Sequence, residues 1–206
     1  MGAKFEELKP HFERMMALKT AMILFEWDDA TLAPKEAGKL TEKVIGTLSG
    51  EYFCAVNNDK VRELAHACEK EEGLSEAEAA QVRELLEEIA KLDAIPQEEY
   101  QAFARLTAGA VRTWTKAKEE NDFDAFAPTL EKVIDYQKKF AGYRAKEGQK
   151  KYDVMLNDFE PGFSMELLDT FFSVIKKEIV PLLKAVQASH VEIDDSFLTG
   201  DFTDEQ

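Results

Sequence analysis

Apolar side chains recur three and four residues apart along nearly the whole chain, and no stretch alternates them strictly. Phe5, Leu8, Phe12, Met15, Met16, Met22 and Ile23 form one such stripe. Val82, Leu85, Ile89 and Leu92 form another, and Leu130, Val133, Ile134 and Phe140 a third. Side chains at this spacing line one face of an α-helix, whereas a half-buried strand needs a period of two. The pattern predicts an all-α chain, an antiparallel bundle of about seven helices in one domain over residues 1–206. A chain of 206 residues is long enough to bury a core. The three methionines of the first stripe are expected to pack in that core rather than to form an adaptable surface.

Helix ends are set by local chemistry. The first helix is expected to start near Phe5, with Pro10 opening or kinking it, and to end over Trp27–Thr31 before Pro34. Further helices are expected from Lys35 to Val56 and from Asp59 to Glu71. Ser75 and Glu78 have the spacing of a capping box, in which each side chain satisfies the other residue's free amide. Pro96 suits a first helical turn, opening a helix that runs toward Lys118. Asn121–Ala127 reads as a connection, and Pro128 as the start of the next helix. Tyr152–Phe163 reads as an ordered acidic loop. Within it Glu160-Pro161 favours extended backbone and Gly162 permits a turn, while Ser164 can cap the next helix. That helix, from Ser164 to about Ser189, is the most apolar of all. Leu167, Leu168, Phe171, Phe172, Val174, Ile175, Ile179, Val180, Leu182 and Leu183 cover too wide an arc for a surface helix. It is expected to be the buried centre, kinked at Pro181. Past His190 the tail turns polar and acidic.

Charge restricts the partners. The chain carries 26 basic and 41 acidic residues, a formal charge of −15. Its field repels nucleic acid phosphates and anionic lipid alike, so neither is an expected partner. The longest apolar run, Ala21–Phe25, is far short of a membrane span. The N-terminus lacks a signal-peptide pattern, and Glu6 stands where a myristoylation signal needs Ser or Thr. Cys54 and Cys68 fall in helical pattern and are expected to be reduced, as in a cytoplasmic protein.

The sequence contains no complete catalytic constellation. A helical zinc hydrolase needs His-Glu-x-x-His, which brings two imidazoles to one helix face with a glutamate to activate water. Here His11, His66 and His190 stand far apart. His66 and Cys68, two residues apart on a helix, do not face one another and make poor joint ligands. No Gly-x-Ser-x-Gly elbow and no phosphate-cradling glycine loop occur. The acid pairs Asp158 with Glu160 and Glu26 with Asp28 are expected to face solvent or cap helices. No catalytic and no metal residue is therefore assigned.

Several segments nevertheless resemble one family. Glu26-Trp27-Asp28-Asp29-Ala30-Thr31-Leu32-Ala33-Pro34 is similar to the Trp-Asp-x-x-Thr-x-x-Pro ending of the first helix in the carboxypeptidase Taq family, the thermostable metallocarboxypeptidases. Asn121–Leu130, Tyr152–Gly162, Val180-Pro181-Leu182-Leu183 and Gly200-Asp201-Phe202 come after it in the family's order. The resemblance covers nearly the whole chain and matches the N-terminal portion of the family. It implies an all-helical peptidase that releases C-terminal residues from peptides, usually as a homodimer. Family members hold zinc or cobalt on His-Glu-x-x-His and a further glutamate, beside a long groove.

The sequence given ends at Gln206, before the region where the family carries its metal motif, so the resemblance implies no cofactor in this chain. By that resemblance Trp27, Asp28, Thr31, Asp158 and Glu160 either line the groove or serve in capping and packing. Trp27 is expected to bury its ring. Two expectations are open. The chain is the N-terminal helical region of a metal-dependent carboxypeptidase, inactive alone and partnered by a catalytic half or a second copy. Alternatively it is a non-catalytic scaffold or partner-binding protein descended from that family. A segment meant to face an absent half should leave a contiguous apolar patch exposed.

Overall fold

The structure, a computed structural model, describes residues 2–189 and 191–200. The expectations placed on His190 and on residues 201–206 lie outside that range. Eight α-helices are found among the described residues: α1 Ala3–Thr31, α2 Gly38–Val56, α3 Asp59–Glu69, α4 Glu76–Asp93, α5 Gln97–Glu120, α6 Phe123–Arg144, α7 Lys151–Phe159 and α8 Met165–Ala188. Two single turns of 3-10 helix, Lys35–Ala37 and Ser196–Leu198, complete them. No strand occurs among the described residues, and the chain is all-α. It divides into two compact units, Met1–Val154 and Met155–Gln206, with the boundary inside α7.

In the first unit, α1 to α4 enclose the core. Phe5, Leu8 and Met15 of α1 meet Phe53 and Val56 of α2, Val61, Leu64 and Cys68 of α3, and Val82, Leu85, Ile89 and Leu92 of α4. Leu8, Val56 and Val61 have no accessible surface. Each such side chain stabilises the fold by about 1.5–3 kcal/mol relative to exposure. Of the three methionines assigned to the core, Met15 is buried and Met22 packs against it, but Met16 is 64% exposed. Burial also raises the pKa of the Cys68 thiol above its ordinary value, which keeps it protonated and unreactive.

Neighbouring helices run antiparallel, and cross-helix pairs give the register. On α2, Gly38, Gly46 and Gly50 lie against Arg112, Arg105 and Gln101 of α5, in reversed order. The missing Cβ at each leaves room for the long α5 side chain that lies over it. Arg14 pairs with Glu51 across α1 and α2 at 3.2 Å, and Arg62 with Asp93 across α3 and α4 at 2.9 Å. An edge-to-face contact of Phe103 with Phe140, centroids 5.3 Å apart, joins α5 to α6.

The helix starts show which local signals were decisive. Ser75 and Glu78 form the capping box, with Ser75 N–H donating to Glu78 Oε2 at 2.8 Å. The start of α1 has no side-chain cap of its own. Glu71 supplies it from far along the chain, accepting from the amides of Lys4 at 3.0 Å and Phe5 at 3.2 Å. Pro10 sits inside α1.

The start of α6 corrects the sequence reading. Asn121 takes a left-handed φ of 52°, which its short amide tolerates, and ends α5. Asp122 Oδ1 then accepts from Ala125 N–H at 3.1 Å. The turn is complete within these two residues, so α6 starts at Phe123 and Pro128 lies inside it.

Tyr152–Phe163 is likewise not a loop throughout, because Lys151–Phe159 is helical. Only Glu160–Phe163 turns. Gly162 adopts φ +86°, Phe163 N–H donates to Glu160 O at 3.0 Å, and Gly162 N–H donates to Asn157 Oδ1 at 2.9 Å. Proline at the second position and a positive-φ glycine at the third is the pattern of a type II turn. Ser164 caps α8 as expected, accepting from Leu167 N–H at 3.3 Å.

The largest correction concerns α8. It has no buried residue. Leu167, Phe171, Phe172, Val174, Ile179, Val180, Leu182, Leu183 and Val186 are each between 42% and 61% exposed. The wide apolar arc is real, and these nine side chains on it are exposed rather than buried.

Candidate functional site

The segment Trp27–Pro34 is held by a charged junction in the first unit. Arg112, in the middle of α5, donates from Nη1 to Asp29 Oδ2 at 2.6 Å. From Nη2 it donates to the carbonyl of Gly38 at 2.9 Å and to Glu42 Oε1. One guanidinium thus ties the end of α1 and the start of α2 to α5. Its planar fork of donors suits several oxygens at fixed angles, as a lysine ammonium would not. Gly38 leaves room for this approach, since a Cβ there would stand 2.5 Å from Arg112 Cζ and the guanidinium would have to shift.

Of the residues assigned from sequence, Trp27, Asp28 and Thr31 share the last turns of α1. Thr31 Oγ1 donates to Trp27 O at 2.6 Å, and Asp28 O accepts from the amides of Leu32 and Ala33 at 2.9 and 2.8 Å. The indole of Trp27 is 57% exposed, contrary to the expected burial. The helix presents that position outward while Asp29, two residues on, turns toward α5. Asp29, Glu42 and Arg112 were not singled out in the sequence, which has many acids and places these three on separate helices. Asp158 and Glu160 belong to the second unit, at the end of α7 and in the Pro161-Gly162 turn, and both side chains are exposed.

A groove of about 670 Å³ lies between α1 and α4 in the first unit, with α2 beneath. Its floor includes Phe5, Met15, Leu85 and Tyr52. Tyr52 donates to Glu88 Oε1 at 3.1 Å, and the Lys19 ammonium lies 5.0 Å from its ring centroid. Burial first, and then the Glu88 carboxylate, hold the Tyr52 hydroxyl protonated far above the usual phenol range. The same two causes push Tyr100 up to about 12. These tyrosines are neutral hydrogen-bonding groups at physiological pH. His66 Nδ1 lies 3.5 Å from Glu69 Oε2 on the exposed side of α3.

Long antiparallel helices with a surface groove and an ionic junction define a helical scaffold, and comparison with known proteins places it among the metallopeptidases. Residues 7–206 match the description Carboxypeptidase Taq (M32) metallopeptidase, and the chain belongs to that family. It is 34% identical over 195 residues to Carboxypeptidase 1 of Bacillus subtilis (strain 168), covering 94% of this chain and 39% of that protein. It is 29% identical over 182 residues to Thermostable carboxypeptidase 1 of Pyrococcus furiosus, covering 88% of this chain and 36% of that one. Among solved structures, the BsuCP crystal structure superposes with a TM-score of 0.90 at 33% identity, over 98% of this chain and 41% of that one. Pyrococcus furiosus Carboxypeptidase Apo-Mg superposes at 0.74 with 27% identity, over 91% and 37%. The chain therefore spans about two fifths of the length of its curated relatives.

The metal implied by the family does not fit the side chains present. Among the described residues no group of three or more His, Cys, Asp and Glu is placed to hold an ion. His66 and Glu69 offer two donors on one exposed helix face, while the thiol of Cys68 is buried in the core. A catalytic zinc site takes three protein ligands converging around an open position. Among the described residues no helix is long and apolar enough to cross a membrane.

Proposed function

We propose that this chain is the N-terminal helical region of a metal-dependent carboxypeptidase that releases C-terminal amino acids from peptides, and that it is inactive by itself. Its contribution is structural. The Trp27–Pro34 segment is fixed by Arg112. Like Asp158 and Glu160 at the end of α7, it serves either the substrate groove of the complete enzyme or helix capping and packing. Metal and general base come from a region corresponding to the remainder of the relatives, with zinc or cobalt as the ion. A cytoplasmic location and a homodimeric complete enzyme belong to the same reading.

The exposed apolar arc of α8 is the observation that carries it. Nine large apolar residues at 42–61% exposure on one helix exceed what a monomeric surface tolerates, so the helix fits a buried interface. The match over residues 7–206 supplies the family to which that interface belongs.

The test is release of C-terminal residues from an unblocked peptide in zinc or cobalt. The chain alone is expected to release none. Activity is expected when a polypeptide carrying the His-Glu-x-x-His region of a relative is added. Metal-dependent release by the isolated chain overturns the proposal. The non-catalytic scaffold is the second reading, favoured by the lack of a fitting metal-donor set among the described residues. A native polypeptide of 23.3 kDa in the source cell, with no co-purifying metal-helix protein, would select it.

A further inference from the structure

The groove between α1 and α4 is apolar along its floor and acidic along its rim, and we infer that it is a docking site for a basic amphipathic helix of a partner protein. The lining on α1 runs from Phe5 to Ile23. At 1.5 Å per residue that is about 27 Å on the α1 side. The α4 lining, Gln81 to Lys91, spans about 15 Å, or roughly three turns of a docked helix held between both walls. An apolar floor flanked by α1 and α4 forms a trough that receives an apolar helix face. Met16 and Ile23, 64% and 62% exposed, give the α1 side an apolar lip, and an unbranched methionine adapts to varied side chains.

Charge selects the occupant. Of the lysines on the α1 wall, Lys9 is already paired with Glu6 at 2.6 Å, and Lys19 lies over the Tyr52 ring. Lys91 stands near the C-terminal end of the α4 wall. Opposing them are Glu13 on α1 and Glu84 and Glu87 on α4, which line the groove with exposed side chains. No Lys or Arg among the described residues is in ion-pair contact with these three. The rim thus offers three free carboxylates, and the overall charge of −15 extends the attraction to longer range. A cationic helix is drawn in, whereas an acidic helix or a phosphate-bearing ligand is repelled. The site stands independently of any peptidase activity.

The probe is a fluorescein-labelled 18-residue Leu/Lys amphipathic helix, titrated with this chain by fluorescence anisotropy. It is expected to bind at least ten-fold tighter than a scrambled peptide of equal charge and than its Leu/Glu counterpart. Glu84→Lys with Glu87→Lys, both at exposed positions, should weaken it ten-fold or more with the circular dichroism spectrum unchanged. The Ile179→Glu, Leu183→Glu variant should bind as the unaltered chain does, because α8 is the competing apolar surface. Equal binding of the scrambled peptide, loss of binding in the α8 variant, or no binding would each overturn the assignment.

Discussion

Arg112 and Asp29 are 83 residues apart in sequence and meet at 2.6 Å, Nη1 to Oδ2. The same guanidinium holds Gly38 O and Glu42, so three helices depend on one side chain. Replacing Arg112 with Met leaves two part-buried carboxylates facing each other without their cation. The expected loss is about 1–3 kcal/mol, less than for a fully buried pair because water still reaches the junction. Gly38→Ala should cost a similar amount by displacing the guanidinium. Because both act on one junction, the double variant should lose less than the sum. Urea denaturation of the four proteins measures this.

Two of the five tyrosines should resist ionisation. Tyr100 is raised from the ordinary 10 to about 12, by burial and then by Glu88, and Tyr52 is raised further. A folded-state pKa above the unfolded one stabilises fully below pH 10. That contribution is then lost as pH rises through about 12. Ultraviolet titration should show two phenols, Tyr52 and Tyr100, ionising only as the helices unfold. Tyr100→Phe should flatten the loss of stability between pH 10 and 12.

The capping box gives a smaller effect at a surface position. Ser75→Ala removes the acceptor for the Glu78 amide and should cost about 1 kcal/mol. Glu78 is held below its ordinary pKa by hydrogen bonds from Ser75, backbone first. Its stabilisation is present above the usual carboxylate range and is lost as pH falls. The gap between wild type and variant should therefore narrow in acid, which thermal melts at neutral and low pH would reveal.

Equally apolar residues on different helices should respond oppositely. Leu8→Ala opens a cavity in a site with no accessible surface and should cost about 2–5 kcal/mol. Ile179→Ser on α8, where the side chain is 51% exposed, should change thermal stability by less than about 0.5 kcal/mol. It should instead reduce self-association, as read by analytical ultracentrifugation.

Most helices were legible because their signals are local. The stripe of Val82, Leu85, Ile89 and Leu92 is buried as its spacing requires, and Ser75 caps α4 as its neighbour Glu78 requires. The boundary of α6 has a local cause too, since a left-handed asparagine followed by an aspartate cap has the composition of a loop. The site was less legible. Trp27 and Asp28 drew notice as sequence features, but Asp29 is the residue that engages Arg112, and the relation between positions on different helices has no local signature.

By itself the sequence determined the all-α class, most helix ends and the family resemblance, because hydrophobic period, caps and turn residues act over a few positions. Only the tertiary structure decided which apolar faces meet. Phe5, Leu8 and Met15 of the α1 stripe are buried where α1 packs on α2 and α3, while the richer arc of α8 remains exposed. Periodicity states that a face must be covered, but the cover is a contact between distant segments or separate molecules, and its free energy is set by shape and charge that no single stretch contains.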